Sequence, residues 1–301
     1  MNISKKLHPQ GKSLLRLLKS TPETRALHLE PGQRHPAGTY AISLSQTLRR
    51  MEDVIEQLSA YVFSVQLNTE HEADQELAET TAALIKHADR HITDCAGLVA
   101  AYFGAGSTEH RHFLKGIQPF AEARALQASR LREHDGRVRL VSFKASTVVV
   151  SGFFIEEADP QGALGPSLLV HAGGNTAFSY NLYLRRVFLE LTLLNTRLYD
   201  LLKKNAELKE AGASGPTENM ELVHLATRLA ALSLHVFPDE LKQALPNIFV
   251  TREDGMNAAI ITVPSLKKPQ LPPLPCTISL SCEDDETALP YRVPYADTSG
   301  T

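Results

Sequence analysis

Tryptophan is absent from the 301 residues, and aromatic residues make up 6% of them. So few rings argue against a surface of stacked aromatics, the usual platform for single-stranded nucleic acid. Cysteine is scarce too: Cys95, Cys276 and Cys282. An odd, sparse set is not a disulfide framework and suits a reducing compartment, so a cytoplasmic location is expected. Without a Cys-x-x-Cys pair, a cysteine zinc site has no local support. Neither charge sign dominates, at a formal net charge of −3. The basic excess of a general nucleic-acid binder is missing, and no specific nucleic-acid partner is expected. No apolar run approaches the roughly 20 residues of a transmembrane helix. The G-x-S-x-G nucleophile elbow does not occur, and the stretch from His171 to Thr176 lacks the phosphate-binding G-x-G-x-x-G and G-K-S/T patterns.

Acidic residues are missing from Met1 to Pro22, where Lys5, Lys6, Lys12, Arg16 and Lys19 accumulate around Leu14, Leu15, Leu17 and Leu18. Arg16 splits the leucines and argues against a secretory signal. The segment reads as a short basic helix or a loose terminus that adds little to stability. The alternative is a mitochondrial presequence, whose composition it shares. Residues 21–40, with Pro22, Pro31, Gly32, Pro36 and Gly38, read as a connector.

What the chain has in quantity is helical periodicity. Tyr180, Leu184, Val187, Leu191, Leu194, Leu198 and Leu201 step by four and three, and further apolar residues widen the stripe over most of the circumference. A helix apolar nearly all round is buried on several sides, so 176–204 is expected as the central helix. Leu44, Leu48, Met51, Ile55, Leu58, Val62 and Val65 predict a helix over 42–67. Leu77, Thr81, Ile85, Ala88, Ile92, Cys95, Val99 and Tyr102 predict a second, ended by Gly104 and Gly106. Two heptad-patterned helices across a short polar loop predict an antiparallel, coiled-coil-like hairpin. A third helix, from Thr108 to about Glu133, should kink or break at Pro119.

Alternation from Val141 to Ile155 predicts a strand, Leu168 to His171 a short one, and 217–236 another apolar helix. Pro238 opens a short helix that Pro246 stops. Asp254-Gly255 between apolar runs predicts a β-hairpin. Cys276, Ile278, Leu280 and Cys282 share one face of a strand after a proline-rich stretch, and 283–301 read as an acidic patch and tail. The fold class is α+β: an N-terminal helical hairpin, a small, mostly antiparallel sheet and a long buried helix. The chain divides at about residues 40, 135 and 246 into a basic segment with its connector, the three-helix region, strands with central helices, and a C-terminal hairpin, strand and tail.

Three groups could carry chemistry. His87, His91 and Asp94 share one helical face at i, i+4 and i+7, a spacing that suits a metal. The glutamate of H-E-x-x-H is missing, and the plainer reading is the polar flank of an apolar stripe. Glu109, His110 and His112 open the third helix without a defined third ligand. Gly173, Gly174, Asn175 and Thr176 lie between strand and helix, where free N–H groups could hold an anion. The plainer reading there is a tight turn capped by Asn175 or Thr176. No metal, cofactor or catalytic residue is therefore expected. The expected function is a non-catalytic subunit working through a protein partner. The alternatives are a membrane-active protein with a hydrophobic β-tongue at 147–155, and an enzyme or ligand binder centred on Gly173-Gly174.

Overall fold

A computed structural model of the chain describes residues 3–9, 14–19, 28–29, 31–67, 73–133, 136–145, 148–156, 177–205, 218–237, 240, 244–263, 277–280 and 291–294. The heptad stripes become the two longest helices, α2 (Pro36–Leu67) and α3 (Ala73–Phe103). Leu44, Met51, Ile55 and Leu58 on one, and Ile85, Ala88, Cys95 and Val99 on the other, are buried in a shared core. The pair is antiparallel, with Ser43 beside His91 and Arg50 beside His87. Gly104, at φ 89°, ends α3 in the left-handed conformation that glycine tolerates, and its N–H returns to the Ala100 carbonyl.

The start of α2 corrects the expected connector. Pro36 opens the helix instead of breaking it, because a first-turn residue has no intrahelical N–H bond to lose. The N–H of Ala37 instead meets Nδ1 of His35 at 3.1 Å. Pro119 likewise does not break α4, which runs from Thr108 to Glu133. Phe113 and Ile117 before the proline and Ala128 and Leu131 after it are anchored in the core, so both halves are held from outside the helix. Arg197 also donates to the Gly116 carbonyl in the turn before the proline.

The expected single strand over 141–155 is two, β2 (Arg137–Ala145) and β3 (Val148–Glu156), paired antiparallel with Ala145 opposite Val148. The two residues between Ala145 and Val148 in sequence, Ser146 and Thr147, include none of the glycine, asparagine or aspartate that mark tight turns, so the alternation reads straight through. β4 (Phe178–Ser179) pairs with β3 and leads into α5 (Tyr180–Asn205), the central helix. On α5, Tyr180, Leu184, Val187, Phe188, Leu191, Leu194, Leu198 and Leu202 are at most 3% exposed. The helix is covered by α1 (Leu14–Lys19), α3, α4, β3 and the next helix, α6 (Glu218–Ala231).

α6 ends short of the predicted residue 236. Arg185 of α5 donates to the carbonyls of Leu229 and Leu232, and Asn181 to that of His235, so the chain leaves the helix pinned to its neighbour. The strands β5 (Asn247–Glu253) and β6 (Met256–Val263) form the expected hairpin. Asp254 and Gly255 supply its two positive φ values, 50° and 80°.

The described strands make two sheets instead of one, and each described pair is antiparallel. Their orders are β1-β6-β5 and β4-β3-β2-β7-β8. Here β1 (Ile3–Leu7) comes from the basic N-terminal stretch, while β7 (Thr277–Leu280) and β8 (Tyr291–Pro294) come from the far end of the chain. β8 lies in the stretch that the sequence presents as an acidic patch and tail. Its short, proline-bounded run has no strand signal of its own and becomes a strand by pairing with β7.

The N-terminal segment is likewise not loose. Ile3 to Leu7 pair with Val263 to Ala259. In α1 (Leu14–Lys19), Leu14, Leu17 and Leu18 are 2%, 1% and 5% exposed. Arg16 interrupts the leucines in sequence but not on the face that α5 and α2 cover.

Candidate functional site

The heptad packing of α2, α3 and α5 surrounds one histidine. His91 is fully buried; its Nδ1 lies 3.0 Å from the Ser43 hydroxyl and its Nε2 3.6 Å from the Cys95 thiol. The Tyr40 ring sits 5.3 Å away, and the Tyr40 hydroxyl donates to Oδ1 of Asn195 on α5 at 3.0 Å. Burial lowers the imidazole pKa from 6.5 to about 4, against a smaller upward effect of the Asn195 side chain. Burial, and then the charge of Asp94, push the Cys95 thiol well above its ordinary range. At neutral pH both groups are uncharged, so this is a hydrogen-bonded core cluster instead of an activated nucleophile and base.

The other residues of the candidate triad point elsewhere. The Asp94 carboxylate takes an ion pair from Arg90 at 2.9 Å, and half-buried His87 lies near Arg50, its pKa lowered by burial and then by that charge. His87, His91 and Asp94 are thus not brought together. Among the described residues, no three His, Cys, Asp or Glu side chains are grouped to hold a metal ion. His110 has a local partner: the Gly106 N–H donates to its Nδ1, and its own N–H donates to Ser107 as an N-cap. Gly173, Gly174, Asn175 and Thr176, with the expected strand at 168–171, lie outside the described residues.

A second polar cluster, which spacing did not reveal, joins α4 to the start of α5. Arg124, 4% exposed, forms a bidentate pair with Glu190 at 2.7 and 2.9 Å and stacks 4.7 Å from the Tyr183 ring centre. Burial opposes its charge, but Glu190 and Tyr183 outweigh that and raise its pKa. Buried Glu240 accepts the N–H groups of Ser179 and Phe237 at 2.9 and 3.0 Å, and burial raises its pKa despite them. The partners Arg124 and Glu190 are 66 residues apart, so no local pattern announces them.

Cavities that reach the surface among the described residues include two of note. A cleft of about 560 Å³ lies between α3 and β2, with Lys86, Arg137, Arg139 and Glu79 on its walls and Ala78 and Ala82 in its lining. Arg139 already pairs with Glu156 at 2.5 Å. A smaller cavity, about 200 Å³, lies between β1, α5 and α6, and Asn195 forms part of its wall.

Two surface features bear on partners. Phe63 and Leu67, one turn apart on α2, are 61% and 57% exposed, beside exposed Ala60. In contrast Val150, Phe153, Phe154 and Ile155 of the candidate β-tongue are at most 2% exposed, and Val148 and Val149 are partly buried. Among the described residues no helix is long and apolar enough to cross a membrane. No protein-family model matches the chain, and no curated protein and no solved structure matches it either.

Proposed function

We propose that the protein is a non-catalytic interaction subunit, and that its partner protein docks on the C-terminal half of α2. The observation that carries this reading is the exposed apolar stripe of Ala60, Phe63 and Leu67, spaced three and four residues apart on one face. Large apolar side chains held side by side on a rigid helix gain most when a second surface covers them. A partner that lays an amphipathic helix along this end of the hairpin would do so. Glu52, farther along α2, faces the protein's own α6, where its carboxylate lies 3.2 Å from His224. The docking face is therefore assigned to the end of α2 beyond Glu56.

The test is affinity capture from the native source with chemical cross-linking, alongside light scattering of the purified protein. The variant is Phe63→Ser with Leu67→Ser, which should leave the melting temperature unchanged. A protein captured by the wild type and lost from the variant supports the reading. Identical capture profiles and identical masses would move the interface elsewhere.

A further inference from the structure

The outer face of α2 carries more than its exposed C-terminal end. Ile42, near the start of the helix, is 60% exposed. Between Ile42 and Phe63 stand two exposed charges of opposite sign, Arg49 and Glu56. Ile42, Arg49, Glu56 and Phe63 recur every seven residues, so they fall on one stripe of the helix, and Leu67 extends it by a turn.

The order along this stripe is apolar, positive, negative, apolar. Turned end for end it reads apolar, negative, positive, apolar. The stripe is therefore complementary to an antiparallel copy of itself. The register that sets Arg49 of one protomer against the partner's Glu56 also sets Ile42 against the partner's Phe63, because the spacing is equal on both sides. Twofold symmetry makes each contact occur twice. A parallel copy would set each residue against its own counterpart, Arg49 on Arg49 and Glu56 on Glu56, an arrangement that like charges oppose.

The two charges are not used within the chain. Arg49 and Glu56 lie two turns apart, roughly 10 Å along the helix axis, too far to pair with each other. Among the described residues neither forms an ion pair, whereas their neighbours Arg50 and Asp53 pair at 3.0 Å. Glu52 faces His224 at 3.2 Å. The acids nearest the twofold axis, Glu52 and Asp53, are thus engaged by their own chain and leave Arg49 and Glu56 to meet across it.

We propose that the occupant of this face is a second copy of the chain, packed as an antiparallel pair of α2 helices about a twofold axis near Glu52 and Asp53. This rests on the docking reading of the Phe63–Leu67 end, names its partner and extends the face to Ile42. The helices touch along roughly 30 Å. Such a contact belongs with the smaller specific interfaces, so the dimer dissociates on dilution.

The experiment is sedimentation equilibrium of the full chain from about 1 μM to about 0.5 mM, which covers weak specific association. The mass should rise from monomer to dimer. Arg49→Glu and Glu56→Arg should each weaken the dimer about tenfold, since each turns two attractive contacts into repulsive ones. Arg49→Glu with Glu56→Arg in one chain restores opposite charges across the axis and should return the affinity to within about threefold of wild type. Both positions are exposed, so the melting temperature of the dilute protein should not change. A monomer at every concentration overturns the proposal. So does a dimer that the single reversals leave intact, or one that the double exchange fails to restore. The docking reading is separable: a monomeric wild type that still captures another protein through Phe63 and Leu67 overturns the dimer and keeps the docking face.

Discussion

Arg185 of α5 donates to the carbonyl of Leu229 at the end of α6, across 2.8 Å, and to that of Leu232 at 3.0 Å. The arginine is 1% exposed, and its pKa is lowered to about 10 by burial alone. A cation buried at a helix C-terminus meets the negative end of the dipole and the orphan carbonyls together. Arg185→Met keeps most of the volume and removes the donors. It should destabilise the protein by about 3 kcal/mol, because the Leu232 carbonyl loses the guanidinium and the Leu229 carbonyl keeps only the Leu232 N–H. Urea denaturation reads this directly, and a loss below about 1 kcal/mol would mean that water replaces the guanidinium.

The buried histidine should make stability depend on pH. The His91 pKa is lower in the folded protein, about 4, than the ordinary 6.5 it regains on unfolding. Between these values the unfolded chain binds a proton that the folded one does not. His91 therefore contributes stability that is fully present above about pH 6.5 and lost as the pH falls toward 4. At about 1.4 kcal/mol per pH unit the loss is on the order of 3 kcal/mol. His91→Gln cannot titrate, so the stability difference between wild type and variant should narrow by that amount from pH 7 to pH 4.5. Parallel profiles would remove His91 as the cause.

Gly152 has no room for a side chain. A Cβ there would lie 2.2 Å from the Phe178 carbonyl oxygen and 2.5 Å from the Phe237 ring. The first is backbone of the paired strand β4 and cannot rotate away. Gly152→Ala should destabilise by about 3 kcal/mol through overpacking, measured by thermal or urea melts. A change under half a kcal/mol would show that β4 can move off β3.

Leu17, 1% exposed, tests the N-terminal segment. Leu17→Ala should cost about 2–5 kcal/mol as a large-to-small core change, and deletion of residues 1–20 should cost more. An unchanged melting midpoint after the deletion would detach α1 and β1 from the cooperative fold.

Cys95 should be unreactive while the protein is folded, because its thiol is buried and its pKa raised. In a Cys276→Ser, Cys282→Ser background, labelling by a disulfide reagent at pH 8 should be about 100-fold slower than in denaturant. Comparable rates would show that the α2–α3–α5 core opens readily.

Helix positions, the buried faces of α2, α3 and α5, and the Asp254-Gly255 hairpin were legible in the sequence because each is a local property. A seven-residue repeat shows which face is apolar, and two residues suffice to require a tight turn. Tertiary structure decided what those faces meet. Alternation cannot show that β2 and β3 are two strands paired with each other, nor that Ile3–Leu7 pair with a strand more than 250 residues later. His91 looks like a polar flank until Ser43, Cys95 and Asn195 close around it. Arg185 looks like a break in a buried stripe until the end of α6 supplies its acceptors. The smaller cavity likewise exists only where β1, α5 and α6 come together. Periodicity records whether a side chain prefers water, but a buried polar group is set by partners distant in the chain, and those exist only once the chain has folded.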